Sequence, residues 1–387
     1  MVNPARGPWL DFCLPAPIPM KTTAKLNNIQ LLRAFAAVAV VVFHTGFVLP
    51  GMRLWGSFGV DVFFVISGYI MARILDPASD ASSDYFFRRR VLRIVPPYWS
   101  FTFLIFLAAL RFPQLMGATH AGFLDLLKSL FFIPFSKENG LIQPLLFIGW
   151  SLNYEMFFYC ALAIGLLLNK RMLTKRLSSR ISPVWIGALL VALVSIACHP
   201  FAAHSIPADF YARDIVFEFI LGVLSYALCR AIPTRTAVRL RLPALFLTFA
   251  SALLLIAIQA ILPQPGYFYG MRLLSLGLPS FLLVTSASLL SQADWDARLT
   301  SLVLIGDASY ILYLLHPFCE YALDRALGPH HHWLRSNTAS GAAVGVTTSI
   351  GLAVLIHLYA ERPTVRFLNR RFGGKRKSTE FATPALP

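Results

Sequence analysis

The chain has 387 residues, of which 57% are hydrophobic and only 13% charged, and its net charge is +16. Soluble domains carry about 45–50% apolar and about 25% charged residues, so composition disfavours a soluble globular enzyme, a disordered chain and a disulfide-rich secreted module. With a mean hydropathy of +0.65, the basic balance reads as Lys/Arg-rich loops on one side of a membrane, not as a nucleic-acid footprint.

A membrane-spanning helix needs about 20 mainly apolar residues. In chain order the expected spans are 28–50, 57–76, 94–112, 144–168, 183–200, 211–230, 243–262, 270–290, 301–322 and 340–360. A shorter apolar stretch at 123–135, broken by Pro134, reads as interfacial or re-entrant. Ten spans put both termini on one side and sort the loops into two sets. The tails with 77–93, 169–182, 231–242 and 291–300 carry most of the cations, among them Arg88, Arg89, Arg90, Arg93, Arg239, Arg241 and Arg298. The opposite loops hold Arg53, Lys128, Lys137, Arg325 and Arg335. By the positive-inside rule the first set is cytoplasmic. The expected fold is therefore an all-α integral membrane protein, a polytopic bundle of about ten transmembrane helices with both termini cytoplasmic. Its parts are an N-terminal tail over 1–27, a membrane domain over 28–362 and a basic, partly disordered C-terminal tail over 363–387. Residues 1–20 lack the long apolar core of a signal peptide, and Met20 is an alternative start. The five cysteines form no C-x-x-C pair and read as small apolar filler. The run His330–His332 has no cysteine or carboxylate at ligand spacing, so no metal site is expected.

Ionisable groups inside spans are costly unless paired or wetted, which makes them functional candidates. In the first span, Arg33 and His44 are eleven residues apart. Eleven steps of about 100° return to within about 20°, so both share one helix face, separated by a rise of about 16 Å. His44 suits a general base; the bland alternative is a buried histidine satisfied by a backbone carbonyl. In FGVDVFFVISGYIM, Asp61 is placed to hold His44 or Arg33, and Ser67 with Gly68 allows close helix approach. In YFFRRRVLRIVPPYW, Arg90 and Arg93 precede a double proline that dates the helix start near Pro96. Arginine suits bidentate phosphate contact, although an Arg-rich loop is most often only a positive-inside anchor. In GWSLNYEMFFY, Ser151 and Glu155 share a face, while Trp150 and Tyr154 fit either an interfacial belt or a sugar-stacking wall. In ASYILYLLHPF, His316 falls near the outer end of the ninth span, one turn after Tyr313. His44, Glu155 and His316 thus recur at similar depth on three spans, opposite the arginines.

The segments LLRAFAAVAVVVFHTG, FGVDVFFVISGYIMARIL, FFRRRVLRIVPPYW, WSLNYEMFFY and ASYILYLLHP, in this order, resemble the membrane acyltransferase family 3, particularly stand-alone members that decorate exopolysaccharide or O-antigen. The resemblance implies transfer of an acyl group, usually acetyl, from cytoplasmic acyl-CoA to a sugar hydroxyl at a bacterial inner membrane. It implies no permanently bound cofactor, with acyl-CoA as co-substrate, a glycan or lipid-linked glycan as acceptor, and membrane lipids as surroundings. It implies that His44 is the catalytic histidine with Arg33 its pair, and that Arg90 and Arg93 meet the donor's phosphates. Trp150, Ser151 and Glu155 match one family block; Asp61, Ser67 and Gly68 match another. Acyl transfer needs a base and an oxyanion stabiliser. The expectation is that His44 deprotonates the hydroxyl with Glu155 or Asp61 orienting it, by direct transfer or through an acyl-His44 intermediate. The rival expectation is a polysaccharide transporter or export component, which often shows repeated halves; no internal repeat is visible.

Overall fold

The computed structural model describes residues 26–48, 56–75, 83–115, 121–173, 182–261, 271–326 and 331–372. Most of the expected tails, together with Arg53, Lys175 and His330, lies outside the described residues. The helices in chain order are α1 Asn27–Thr45, α2 Gly59–Ile74, α3 Ser83–Arg111, α4 Phe123–Leu130, α5 Trp150–Leu173, α6 Pro183–Cys198, α7 Ile206–Ala212, α8 Val216–Ala231, α9 Thr234–Arg239, α10 Arg241–Ile261, α11 Leu278–Gln292, α12 Thr300–Asp307, α13 Ser309–Ala326, α14 Ala339–Ile356 and α15 Arg362–Phe372. Two π-helical turns, Leu273–Gly277 and His357–Glu361, lead into α11 and join α14 to α15. The described residues form no strand; the one bridge, Ser136 to Ile142, is isolated.

The chain is a multi-pass membrane protein, but the helices do not reproduce ten equal spans. Among the described residues, seven helices are long and apolar enough to cross a membrane, or eight if α12 and α13, bent by 74° at Ala308, count as one. The second and sixth expected spans are the 16-residue helices α2 and α8. Each is about 24 Å long against about 30 Å of hydrocarbon. They pack directly against each other, while α8 also presents Leu224 and Leu228 on its outer face. A Cβ on Gly68 would fall 2.0 Å from the Phe219 carbonyl oxygen, and one on Gly222 2.1 Å from that of Val65. The Ser67–Gly68 pair therefore serves close packing, with the Ser67 hydroxyl buried and unpartnered. The stretch at 123–135 contains only the eight-residue α4, too short to cross.

Two further boundaries differ from expectation. Helix α3 begins at Ser83, well before Pro96, and carries Pro96 and Pro97 in its interior. The prolines remove two intrahelical bonds without ending the helix. The Arg-rich segment is thus helical, and Arg90 is buried instead of lying in a solvated loop. At the other end, the expected basic tail starts as helix α15, continuous with α14 through its π turn.

Helix α1 is the axis of the bundle, with 67% of its span buried against 22% for the peripheral α10. Gly46, in the left-handed conformation at φ 71°, ends α1 by donating its N–H to the Phe43 carbonyl. At the opposite end, Asn27 and Asn28 donate side-chain amides to the carbonyls of Ala297 and Trp295, both at 3.0 Å. This fastens α1 to the α11–α12 connection and sets His44 near one end of the bundle and Arg33 nearer the other.

Candidate active site

The two histidines singled out in the sequence meet. His316 Nε2 lies 3.2 Å from His44 Nδ1, with the rings 4.9 Å apart. Each ring is also held from its own helix: His44 Nδ1 lies 2.9 Å from the Val40 carbonyl oxygen, and His316 Nδ1 3.1 Å from that of Leu312. A carbonyl only accepts, so each Nδ1 carries the proton. His316 Nε2 is then a lone pair that shares the His44 Nδ1–H with Val40. The consequence is a His44 with its Nε2 lone pair free, in the tautomer a general base requires. The bland reading of His44, satisfaction by a backbone carbonyl, is thus correct for Nδ1 and is what leaves Nε2 available. His316 is fully buried and His44 half-buried.

Helix α13 also supplies Tyr313, whose hydroxyl donates to the Ile148 carbonyl at 2.9 Å and lies 2.8 Å from Ser151 Oγ. Ser151 is buried, and its hydroxyl also reaches the Ile148 carbonyl at 3.3 Å. These bonds tie the start of α5 to the helix that carries His316, one turn from the histidine pair.

The arginines gather around the other part of α1. Arg33 is buried, with Nη1 3.4 Å from Gln30 Oε1. It lies within electrostatic reach of Arg93, Asp307, Glu361 and Glu155. Arg90 lies within reach of Tyr159, Arg93 and Glu155, and its Nε is buried without a hydrogen-bond partner. Glu155 accepts a hydrogen bond from the Tyr159 hydroxyl and is within reach of the Tyr313 phenol. It links the arginine and histidine halves.

Several expected partnerships are not formed. Asp61 orients neither His44 nor Arg33: fully buried, it receives a bidentate pair from Arg272, both bonds 2.8 Å. Glu155 faces the arginines and Tyr159, so His316 takes the place expected of either carboxylate beside His44. Tyr154 is no exposed sugar wall; it is stacked on Phe210 at 4.0 Å and donates to the Phe210 carbonyl at 2.6 Å. Trp150 is half-buried, edge-on to Tyr154.

Sequence reasoning passed over Arg272 and Glu218. Glu218, fully buried, faces Asp61 and shares a side-chain hydrogen bond with it. Its signal was plain: a carboxylate in the middle of an expected span. Also passed over was the buried pair His357 Nδ1 to Glu361 Oε2 at 2.6 Å, on the π turn beside Arg33.

The acyltransferase domain family matches residues 26–358. The chain belongs to the membrane acyltransferase family 3. It is 35% identical over 320 residues to the exopolysaccharide production protein ExoZ of Rhizobium meliloti, covering 80% of this chain and 90% of that protein. It is 28% identical to the acyltransferase MdmB of Streptomyces mycarofaciens, over 90% of this chain and 93% of that one. The peptidoglycan O-acetyltransferase OatA of Listeria monocytogenes matches at 28% over 36% of this chain and 25% of its own length. No solved structure matches. This acyltransferase therefore brings its histidine pair and arginine cluster together within the family's domain, and the transporter expectation is not favoured.

Proposed function

We propose that the enzyme moves an acyl group, acetyl in the first instance, from cytoplasmic acyl-CoA to a hydroxyl of a cell-surface or exported glycan, working in a bacterial inner membrane with both termini cytoplasmic. The observation that carries this reading is the His44–His316 pair, which leaves His44 Nε2 as a fixed, unprotonated base. As the acceptor oxygen attacks the thioester carbonyl, His44 Nε2 takes the hydroxyl proton. The carbon–sulfur bond breaks, and the imidazolium returns the proton to the departing thiolate. His316 Nε2, accepting from His44 Nδ1–H, stabilises the imidazolium in between without itself carrying charge.

Arg33, Arg90 and Arg93 would hold the donor's phosphates. The rise of about 16 Å along α1 from Arg33 to His44 suits a donor whose phosphates and reacting carbonyl are far apart. No permanently bound cofactor is required. The covalent alternative, attack of His44 Nε2 on the thioester to give an acyl-imidazole, uses the same tautomer; a rapid quench that finds no label on His44 under single-turnover conditions excludes it.

The test of the whole reading is the acetyl content of the surface glycan. Deletion should leave polymer that lacks the acyl group, and His44→Ala at normal expression should reproduce that loss. Loss of the whole polymer would favour an export role, and an unchanged acetyl content in His44→Ala would remove His44 from the chemistry.

A further inference from the structure

Three rings enclose the His44 imidazole. Phe43 meets it edge-on at 5.1 Å, His316 lies at 4.9 Å, and Phe147 lies at 5.4 Å. Phe43 comes from the same helix and His316 belongs to the proton-handling pair. Phe147 is different. It is brought from a 3-10 turn, Phe147–Gly149, just ahead of α5.

That turn is fastened on every side. Its middle carbonyl, Ile148, is held by Tyr313 on the histidine-bearing α13 and by Ser151. Gly149 N–H donates to the Leu146 carbonyl at 2.8 Å, and a Cβ on Gly149 would fall 2.7 Å from the Tyr98 ring, so α3 closes the turn from behind. Upstream, the Leu145 N–H donates to the Ser129 hydroxyl at 2.9 Å, and the Leu145 carbonyl accepts from Lys137 Nζ at 3.3 Å. The distance from Phe147 to His44 is therefore set by hydrogen bonds to the same helix that sets His316. Close-packed surroundings yield little to an added methylene.

We infer that Phe147 is the specificity-determining residue for acyl-chain length, its ring closing the space beside His44 to acyl groups longer than acetyl. The inference rests on the acyl-CoA reading above. A hydrophobic wall typically discriminates about 10–200-fold per methylene, so the wild-type enzyme should prefer acetyl-CoA to butyryl-CoA by at least that order. Phe147→Ala should reduce this preference by about 10-fold or more, with butyryl transfer rising relative to acetyl transfer.

The experiment compares kcat/KM for acetyl-, butyryl- and octanoyl-CoA with the full chain in membranes that contain the acceptor glycan. The readout is a ratio between donors within one preparation, so the yield of folded variant cancels. Phe147→Leu, which keeps apolar bulk but loses the ring, should shift the ratio less and in the same direction, and it carries the test if Phe147→Ala does not fold. An unchanged ratio in whichever variant folds overturns the inference while leaving the donor reading intact. A wild-type enzyme that uses none of the three donors, yet acylates glycan in a His44-dependent way, overturns the donor reading and this inference with it.

Discussion

At the scale of single residues, the decisive contact is one imidazole against another. His316 replaces the carboxylate that an isolated reading of His44 would look for, and a neutral acceptor suits a buried position better than a second charge. His316→Ala should lower glycan acetylation about 100-fold at unchanged expression. His316→Gln, whose side-chain oxygen can still accept from His44 Nδ1–H, should retain more activity; equal loss in both would show that His316 acts only by filling space. The second buried cluster makes a stability prediction. Arg272 is the cation facing both Asp61 and Glu218. Arg272→Gln therefore leaves two facing carboxyls and should cost about 3–5 kcal/mol, read as a lower thermal midpoint of the detergent-solubilised protein. Combining Arg272→Gln with Asp61→Asn should recover part of the loss, because the buried anion goes with its partner.

At the scale of elements, what mattered was where helices touch and where they depart from the ideal repeat. Gly68→Leu places a branched side chain where even a Cβ meets the Phe219 backbone. It should separate α2 from α8 and abolish a monodisperse peak in size-exclusion chromatography. Gly351→Ala on α14 has open space at that position and should behave as wild type. The His357–Glu361 pair shows why a π turn matters: the wider turn lets both side chains of one helix face inward beside Arg33. The segment between α4 and α5 carries a pH signature. Burial pushes the Lys137 ammonium down to about 8 from its ordinary 10.5. Between these two values the unfolded chain binds more protons than the folded one, so stability should rise with pH across that window. Lys137→Met should flatten the rise, measured by thermal unfolding over the same range.

At the scale of the whole molecule, topology separates what was legible from what was not. The apolar runs placed every long helix, because the hydrocarbon thickness imposes a minimum length that shows in composition alone. They did not show which helices pack face to face: the short α2 and α8 meet through Gly68 and Gly222. Reporters fused to 201–205 and to 331–338 should report the outer side and a C-terminal fusion the cytoplasm; any reversal would mean that the +16 charge had been assigned to the wrong loops. The sequence by itself determined the membrane class and the family, and it singled out His44 and the arginines as candidates, since each is written in residue type and local spacing. Only the tertiary structure decided the partnerships: that His316 and not Asp61 or Glu155 meets His44, that Asp61 belongs to Arg272, and that Phe147 packs beside the His44 ring. Those contacts join residues between 103 and 272 positions apart. Helix periodicity says which face a side chain occupies but not which other helix that face will meet.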